Sequence, residues 1–273
     1  MSHEQGLEGR TILVTGGAGG IGSMLVGLLR HRGARVTTLG RGEAPGRHIR
    51  ADLSTPDGIA MAAEQARLLA PQMLFNVAGR QYFGPLEDQS PADMAGDYMV
   101  NLLAPVLLTQ AVLPTMKQRS SGHIINVGSV FGSIGFAHFA GYSSAKAGLR
   151  GFSQALRREV RGTGVTVCHI APRGVRTGFN GPLVQRFAGI TGMTLDEPHH
   201  VAKRILDAAM AGEAETVIGW PEAFFTRLNA LFPWLVDRAL AGNDTKAASL
   251  FTPNGAVPAA LPLPAAGEKS HAR

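Results

Sequence analysis

A chain of 273 residues, 45% of them hydrophobic, is long enough to bury a large core, so a chain left unfolded for want of apolar surface is excluded. The 26 Lys+Arg against 20 Asp+Glu give a net charge of +6, but no basic stripe interleaved with aromatics accompanies it, and no nucleic-acid partner is expected. The single cysteine, Cys168, excludes an internal disulfide and suits a reducing compartment, with a buried strand position as its ordinary role.

Residues 1–10 are polar and lack the apolar stretch of a secretory signal. No run is expected to be long and apolar enough to cross a bilayer, so a cytoplasmic protein is expected. Residues 11–15 form a short apolar run that ends in glycines, as a strand buried on both faces does. A helix over 21–31, strands at 35–39 and 47–51, a helix over 56–69 and a strand at 73–76 follow. One long helix over 91–116, a strand at 122–127, a helix reaching about residue 160, a strand at 164–170, a helix over 197–211 and a strand at 215–218 complete the pattern. Such alternation calls for a three-layer α/β fold, a doubly wound parallel sheet with helices on both faces, because parallel strands need crossover connections. Ligands then bind at the carboxyl ends of the strands.

The first strand-to-helix turn runs Thr15-Gly16-Gly17-Ala18-Gly19-Gly20-Ile21-Gly22. Its glycines let the backbone turn sharply and approach a pyrophosphate, which would sit on the free N–H groups and positive dipole of the next helix. The absence of a Gly-Lys-Ser/Thr ending excludes a Walker-type loop. Further on, Tyr142 and Lys146 stand four residues apart on a helix, where their hydroxyl and ammonium converge on one volume. A neighbouring cation favours the phenolate, so Lys146 is expected to bring Tyr142 closer to working pH as a general acid or base. Ser129 adds a hydroxyl able to hydrogen-bond a carbonyl oxygen on which charge develops. No metal site is expected.

These features, with Asp52-Leu53, Asn76-Val77-Ala78-Gly79, Asn101 and the Pro172–Thr177 stretch, fall in one order, and in that order the chain resembles the short-chain dehydrogenases/reductases. The resemblance implies hydride transfer between a nicotinamide and a ketone or secondary alcohol, with Tyr142 donating the proton, Ser129 holding the oxygen and Lys146 bonding the nicotinamide ribose. It implies that Asn101 holds a water leading to Lys146. It also implies a cofactor lined by Gly16, Ala18, Gly20, Ile21, Gly22, Asp52, Leu53, Asn76, Ala78, Gly79, Pro172, Val175 and Thr177. Two positions depart from the family pattern: Val77 replaces an asparagine, and Arg173 replaces a glycine and would bring an arginine near the substrate. The second strand ends at Arg41 rather than an acidic residue, so NADP(H) is expected over NAD(H). A catalytically silent NADP(H)-binding sensor or scaffold is the alternative, and by family analogy a homodimer or homotetramer is expected.

Phe131, Phe136, Phe139 and Phe179 suggest an apolar substrate pocket, and residues 179–194 a mobile lid. The catalytic and dinucleotide-binding domain is expected over 1–219, followed by an apolar helical extension over 220–252 that Pro233 breaks, and a disordered Pro/Ala-rich tail over 253–273. The extension reads as a lid over the pocket mouth that admits long-chain or lipid-linked substrates, with a subunit interface or peripheral membrane contact through 220–240 as the other readings.

Overall fold

The computed structural model describes residues 6–251; the tail expected over 253–273 lies outside the described residues. Seven parallel strands form one sheet in the order β3-β2-β1-β4-β5-β6-β7, with β1 Thr11–Thr15, β2 Arg35–Gly40, β3 His48–Arg50, β4 Met73–Asn76, β5 Gly122–Val127, β6 Val165–Pro172 and β7 Glu215–Ile218. One face is covered by α1 (Gly20–His31) and α7 (Pro198–Ala211), whose Leu25, Leu29, Val201 and Ile205 are fully buried against Ile12, Val14, Phe75 and Ile170. The other carries α2 (Pro56–Leu69), α4 (Ala104–Gln118) and α5 (Ala140–Glu159), with Leu108 and Leu156 on Leu13, Leu74, Ile124 and Val167. A third core cluster, mostly phenylalanine, lies at one end of the sheet and is described with the site.

Local chemistry sets the element ends. Thr55 caps α2, its Oγ1 accepting from Gly58 N at 3.1 Å, with Pro56 in the first turn; Ser90 does the same for α3 (Pro91–Tyr98) through Asp93 N at 3.1 Å. The long helix expected over 91–116 is α3 and α4 joined without a break by a π turn at Met99–Leu103, and it runs to Gln118. By length and hydropathy this run, Pro91–Gln118, would pass as a membrane span, which corrects the expectation that no stretch would. Its buried face belongs to the second core cluster, where Val100, Ala104, Leu108, Val112 and Met116 pack, so it is a core helix.

Residues expected as a mobile lid contain a helix, α6 (Pro182–Thr191). Beyond β7 the chain continues as α8 (Glu222–Leu231) and α9 (Pro233–Ala248), broken at Pro233 as its missing N–H requires. Leu228, Val236 and Leu240 of this pair pack on Val130, Ile134, Phe136 and Val217. The outer face leaves Trp220, Leu231 and Trp234 at 72%, 72% and 60% exposure.

His169 on β6 is fully buried beside Gly128, where an added Cβ would lie 2.2 Å from the imidazole Nε2. Burial pushes its pKa down to about 4, Lys146, Arg150 and Arg157 pushing it further down and Glu215 opposing. The unfolded chain, with a histidine near 6.5, therefore binds more protons than the folded one between pH 6.5 and 4, and stability falls as pH drops through that window, by about 3 kcal/mol from this group. Urea unfolding of His169→Asn from pH 7 to 4 is expected to show a shallower loss than the unsubstituted protein; parallel curves would remove His169 as a source of the acid sensitivity.

Candidate active site

The order of strands places β2 and β4 on opposite sides of β1, so the loops leaving β1 and β4 part and open a crevice at their carboxyl ends. A cleft of about 540 Å³ lies there. Its floor is the glycine turn. Gly16 has φ +68° and a Cβ on it would come within 2.8 Å of Ala78 Cα; one on Gly22 would fall 2.1 Å from Gly16 O, and one on Gly20 2.3 Å from Thr177 Cγ2. At Gly16 and Gly22 main chain thus approaches main chain as closely as glycine allows, and the turn opens into the N-terminus of α1. Thr15 ties this turn to the next loop, its Oγ1 accepting from both Val77 N and Ala78 N at 3.0 Å.

Of the residues expected around a cofactor, Gly16, Ala18, Gly20, Ile21, Gly22, Arg41, Asp52, Leu53, Ala78, Gly79, Pro172, Val175 and Thr177 all line this cleft. Asn76 does not. It is buried beneath, donating from Nδ2 to Asn126 Oδ1 at 2.8 Å across the β4–β5 pair, while Asn126 donates to Ser153 Oγ at 2.9 Å. Asp52 accepts from Ser54 N at 2.9 Å and Ser54 Oγ at 2.7 Å, and these bonds, with Arg41 and Arg80 nearby, hold its carboxyl below the usual range. The crevice fits a dinucleotide: a glycine cradle at a helix N-terminus for phosphates, Asp52 and Leu53 at one end, and a buried polar cluster at the other.

That cluster consists of Ser129, Tyr142 and Lys146. Ser129 follows β5 and starts a 3-10 turn, Val130–Gly132, its Oγ accepting from Phe131 N at 3.1 Å. Gly132 lets this turn lie directly on α5, since a Cβ there would be 2.7 Å from the Lys146 carbonyl carbon. Ser129 stands close enough to the Tyr142 hydroxyl to favour its charged form, and Lys146 Nζ donates to Val127 O at 3.0 Å and stands 5.8 Å from the Tyr142 ring centre. Burial pushes Tyr142 up to about 12, against the lowering effect of Ser129, and Lys146 down to about 8. Desolvation disfavours the charged form of both groups, and it moves Tyr142 in the direction opposite to the one expected from Lys146. Tyr142 is therefore held as a protonated phenol, the form that donates.

Asn101, on the π turn, is fully buried and does not line the cleft. Its Nδ2 donates to Arg80 O at 2.6 Å and Asp97 O at 2.9 Å, and its Oδ1 accepts from Arg80 N at 3.2 Å. The side chain thus clamps the loop that follows β4. Arg80 is held in turn by Asp97, Nε to Oδ1 at 2.7 Å.

The far wall is apolar. Phe131, Phe139, Phe179, Val184, Phe187, Met193 and Leu195 line it, whereas Phe136 stands behind, stacked on Phe131 at 4.2 Å. Phe83 stacks on Phe139 at 4.4 Å and meets Phe251, just beyond α9, at 5.1 Å. Val184 and Phe187 of this wall come from α6; no residue of 220–240 lines the cleft, so the expected lid over its mouth is not formed by that stretch. Arg173 lines the cleft, but its guanidinium turns toward Asp196 and Glu222 rather than the substrate side.

The family model for short chain dehydrogenase matches residues 10–186. The chain belongs to the short-chain dehydrogenases. It is 31% identical to a 3-oxoacyl-[acyl-carrier-protein] reductase of Vibrio cholerae over 217 residues, 73% of this chain and 89% of that protein. It is 33% identical to a D-beta-hydroxybutyrate dehydrogenase of Cupriavidus necator over 228 residues, 77% of this chain and 87% of that one. Among solved structures, a putative NAD(P) dependent gluconate 5-dehydrogenase of Beutenbergia cavernae with bound NADP superposes with a TM-score of 0.69 at 28% identity, covering 77% of this chain and 95% of that one. Membership makes this chain an oxidoreductase acting on CH–OH or C=O groups.

In this short-chain dehydrogenase the motifs give no role to Thr15, although it opens the glycine turn, and do not point to Asn126, Phe83 or Phe187. Each acts through partners at least 27 residues away in the chain, so local patterning carries no signal for them. Thr15→Val keeps the shape of the side chain but leaves Val77 N and Ala78 N without their acceptor, which is expected to lower stability by about 1–3 kcal/mol in denaturant unfolding. Unchanged stability would mean that other groups satisfy both donors.

Proposed function

We propose that the protein is an NADPH-dependent carbonyl reductase, or in the reverse direction an alcohol dehydrogenase, acting on apolar and extended substrates. The observation that carries this is the Ser129–Tyr142–Lys146 cluster, buried at the open end of a glycine-floored cleft and facing a wall of phenylalanines. A bound nicotinamide coenzyme supplies or accepts the hydride at the substrate carbon. The chain does the rest. Ser129 hydrogen-bonds the carbonyl oxygen, and Tyr142, a phenol raised to about 12, releases its proton only as negative charge develops on that oxygen. Lys146, fixed by Val127 O, compensates the phenolate that results and would hold the ribose of a bound coenzyme. Asn101 keeps the loop of Ala78 and Gly79 at the right depth. The intact set weighs against a silent sensor, which has no use for a buried proton donor.

The wall of Val184, Phe187, Met193 and Leu195 supports an apolar acyl or alkyl substituent on the substrate, as does the likeness to a reductase whose name specifies a 3-oxoacyl chain. NADPH oxidation with a series of ketones graded by chain length is expected to give kcat/KM rising with length. Tyr142→Phe should cut turnover by about 10²–10⁴ while leaving the coenzyme dissociation constant nearly unchanged, since only the transferable proton is lost. Retained turnover in Tyr142→Phe would overturn the proton-donor role, and no oxidation with any ketone would favour the sensor.

Coenzyme choice rests on Arg41. Of the neighbouring arginines, Arg30 is spent on Pro45 O at 2.7 Å, Arg35 on Gly9 O at 2.9 Å, and Arg32 lies 3.9 Å from Asp207, whereas Arg41 faces the cleft beside Gly40 and Gly42 with no acid at the end of β2. A charge-assisted bond to a 2′-phosphate is worth about 1.5–3 kcal/mol, so Arg41→Ala is expected to weaken NADPH about ten- to a hundredfold and NADH little, read by fluorescence titration. Equal affinity of the unsubstituted protein for the two coenzymes would overturn the assignment.

A further inference from the structure

We infer that Arg173 is a positioning residue that pins the base of the α6 segment and ties it to the C-terminal extension, so that the extension, without lining the cleft, sets the substrate wall. The inference rests on the carbonyl-reductase reading above.

The α6 segment leaves the loop beyond β6 after Thr177 and returns at Asp196, which bridges to Val175, carrying Phe179, Val184, Phe187, Met193 and Leu195 into the cleft between those points. Its two ends are drawn together at Arg173. The guanidinium forks onto Asp196, Nε to Oδ2 at 3.0 Å and Nη2 to Oδ1 at 2.8 Å, while its remaining nitrogen reaches Glu222 Oε2 at 3.0 Å and Trp220 O at 2.9 Å. Main-chain bonds run beside the fork: Asp196 N donates to Gly174 O at 2.9 Å and Arg176 N to Asp196 O at 2.9 Å. Arg173 and Asp196 side chains are each only 14% exposed, so the pair is largely shielded from water and salt, where a two-pronged arginine–carboxylate bond fixes angle as well as distance.

The surroundings are shaped for this side chain. Gly219 has φ +118°, and a Cβ there would lie 2.6 Å from Arg173 Cδ; one on Gly174 would lie 2.6 Å from Leu195 Cδ2. At the other end of the same strip, Thr177 packs on Gly20 of the glycine turn. Glu222 on α8 is thus linked through Arg173 and Asp196 to both the coenzyme floor and the α6 wall. Loosening the pair should therefore alter how tightly the wall closes on an apolar chain more than how fast the bound carbonyl reacts.

The test compares Arg173→Ala, the double change Arg173→Ala/Asp196→Ala, and Glu222→Gln in the full chain. Steady-state kinetics on the longest ketone that the unsubstituted enzyme accepts are measured with melting curves. The double change removes both charges of the pair, so it stays informative if Arg173→Ala alone, which strands Asp196, fails to fold. The expected result is a KM for the long ketone raised at least tenfold in the Arg173 variants and less in Glu222→Gln, with kcat within about threefold and short ketones little affected. Adding Glu222→Gln to Arg173→Ala should cost nothing further. Folded variants with an unchanged KM, or with a lowered kcat at all chain lengths, would overturn the inference. If no ketone is turned over by the unsubstituted protein, the carbonyl-reductase reading fails by itself. The inference is then decided by hydrogen exchange of residues 178–195, which must quicken in Glu222→Gln relative to the unsubstituted chain, and unchanged protection there would overturn it.

Discussion

The parallel pairing of β1 with β4 is the constraint on which the rest of the site depends. Thr15 stands opposite Asn76 in that pair, and the loops beyond them separate because β1 has its other partner, β2, on the opposite side. The crevice so formed is held at a fixed width by one hydroxyl, Thr15 Oγ1, which accepts from the first two amides past β4. Gly16 and Gly22 keep the other side of it low, because a single methyl group at either would collide with main chain. Asn101 on the π turn holds the same β4 loop from behind. Phosphate-sized space at the end of a buried sheet is thus maintained by few contacts, each made by a residue type that the geometry demands.

Dryness governs the chemistry at the other end. The same burial that raises Tyr142 to about 12 lowers Lys146 to about 8, so the two groups move apart in proton affinity, each toward its neutral form. A phenol that does not ionise by itself is a suitable acid for an oxygen that becomes basic only during hydride transfer. Lys146 is tethered to the end of β5 by Val127 O, and Ser129 leaves from that same end, so strand and helix α5 act as one rigid mount for the cluster.

The aromatic wall belongs to several parts of the chain that have little in common locally. Phe83 follows β4, Phe131 and Phe139 precede α5, Phe187 sits on α6 and Phe251 follows α9, and their rings meet in one group. The C-terminal extension therefore serves the site from behind, through Phe251 and Ala247, while its outer face leaves Trp220, Leu231 and Trp234 largely in the open.

By itself the sequence determined the order and type of nearly every element, because buried parallel strands and capped helices each leave a local signature of period, glycine and cap. The cluster of Ser129, Tyr142 and Lys146 and the glycine turn were legible only together, through the order in which they fall along the chain and the family resemblance that order carries. What only the tertiary structure decided are matters of distance between remote segments. Asn76 faces Asn126 rather than the cleft, because strand register and not position in a motif sets which way a side chain points. Arg173 turns to Asp196 and Glu222 because two acids partner it from segments 23 and 49 residues further along the chain. The balance that leaves Tyr142 protonated depends on how much water is excluded around it, a property of the packed fold that no spacing of residues encodes.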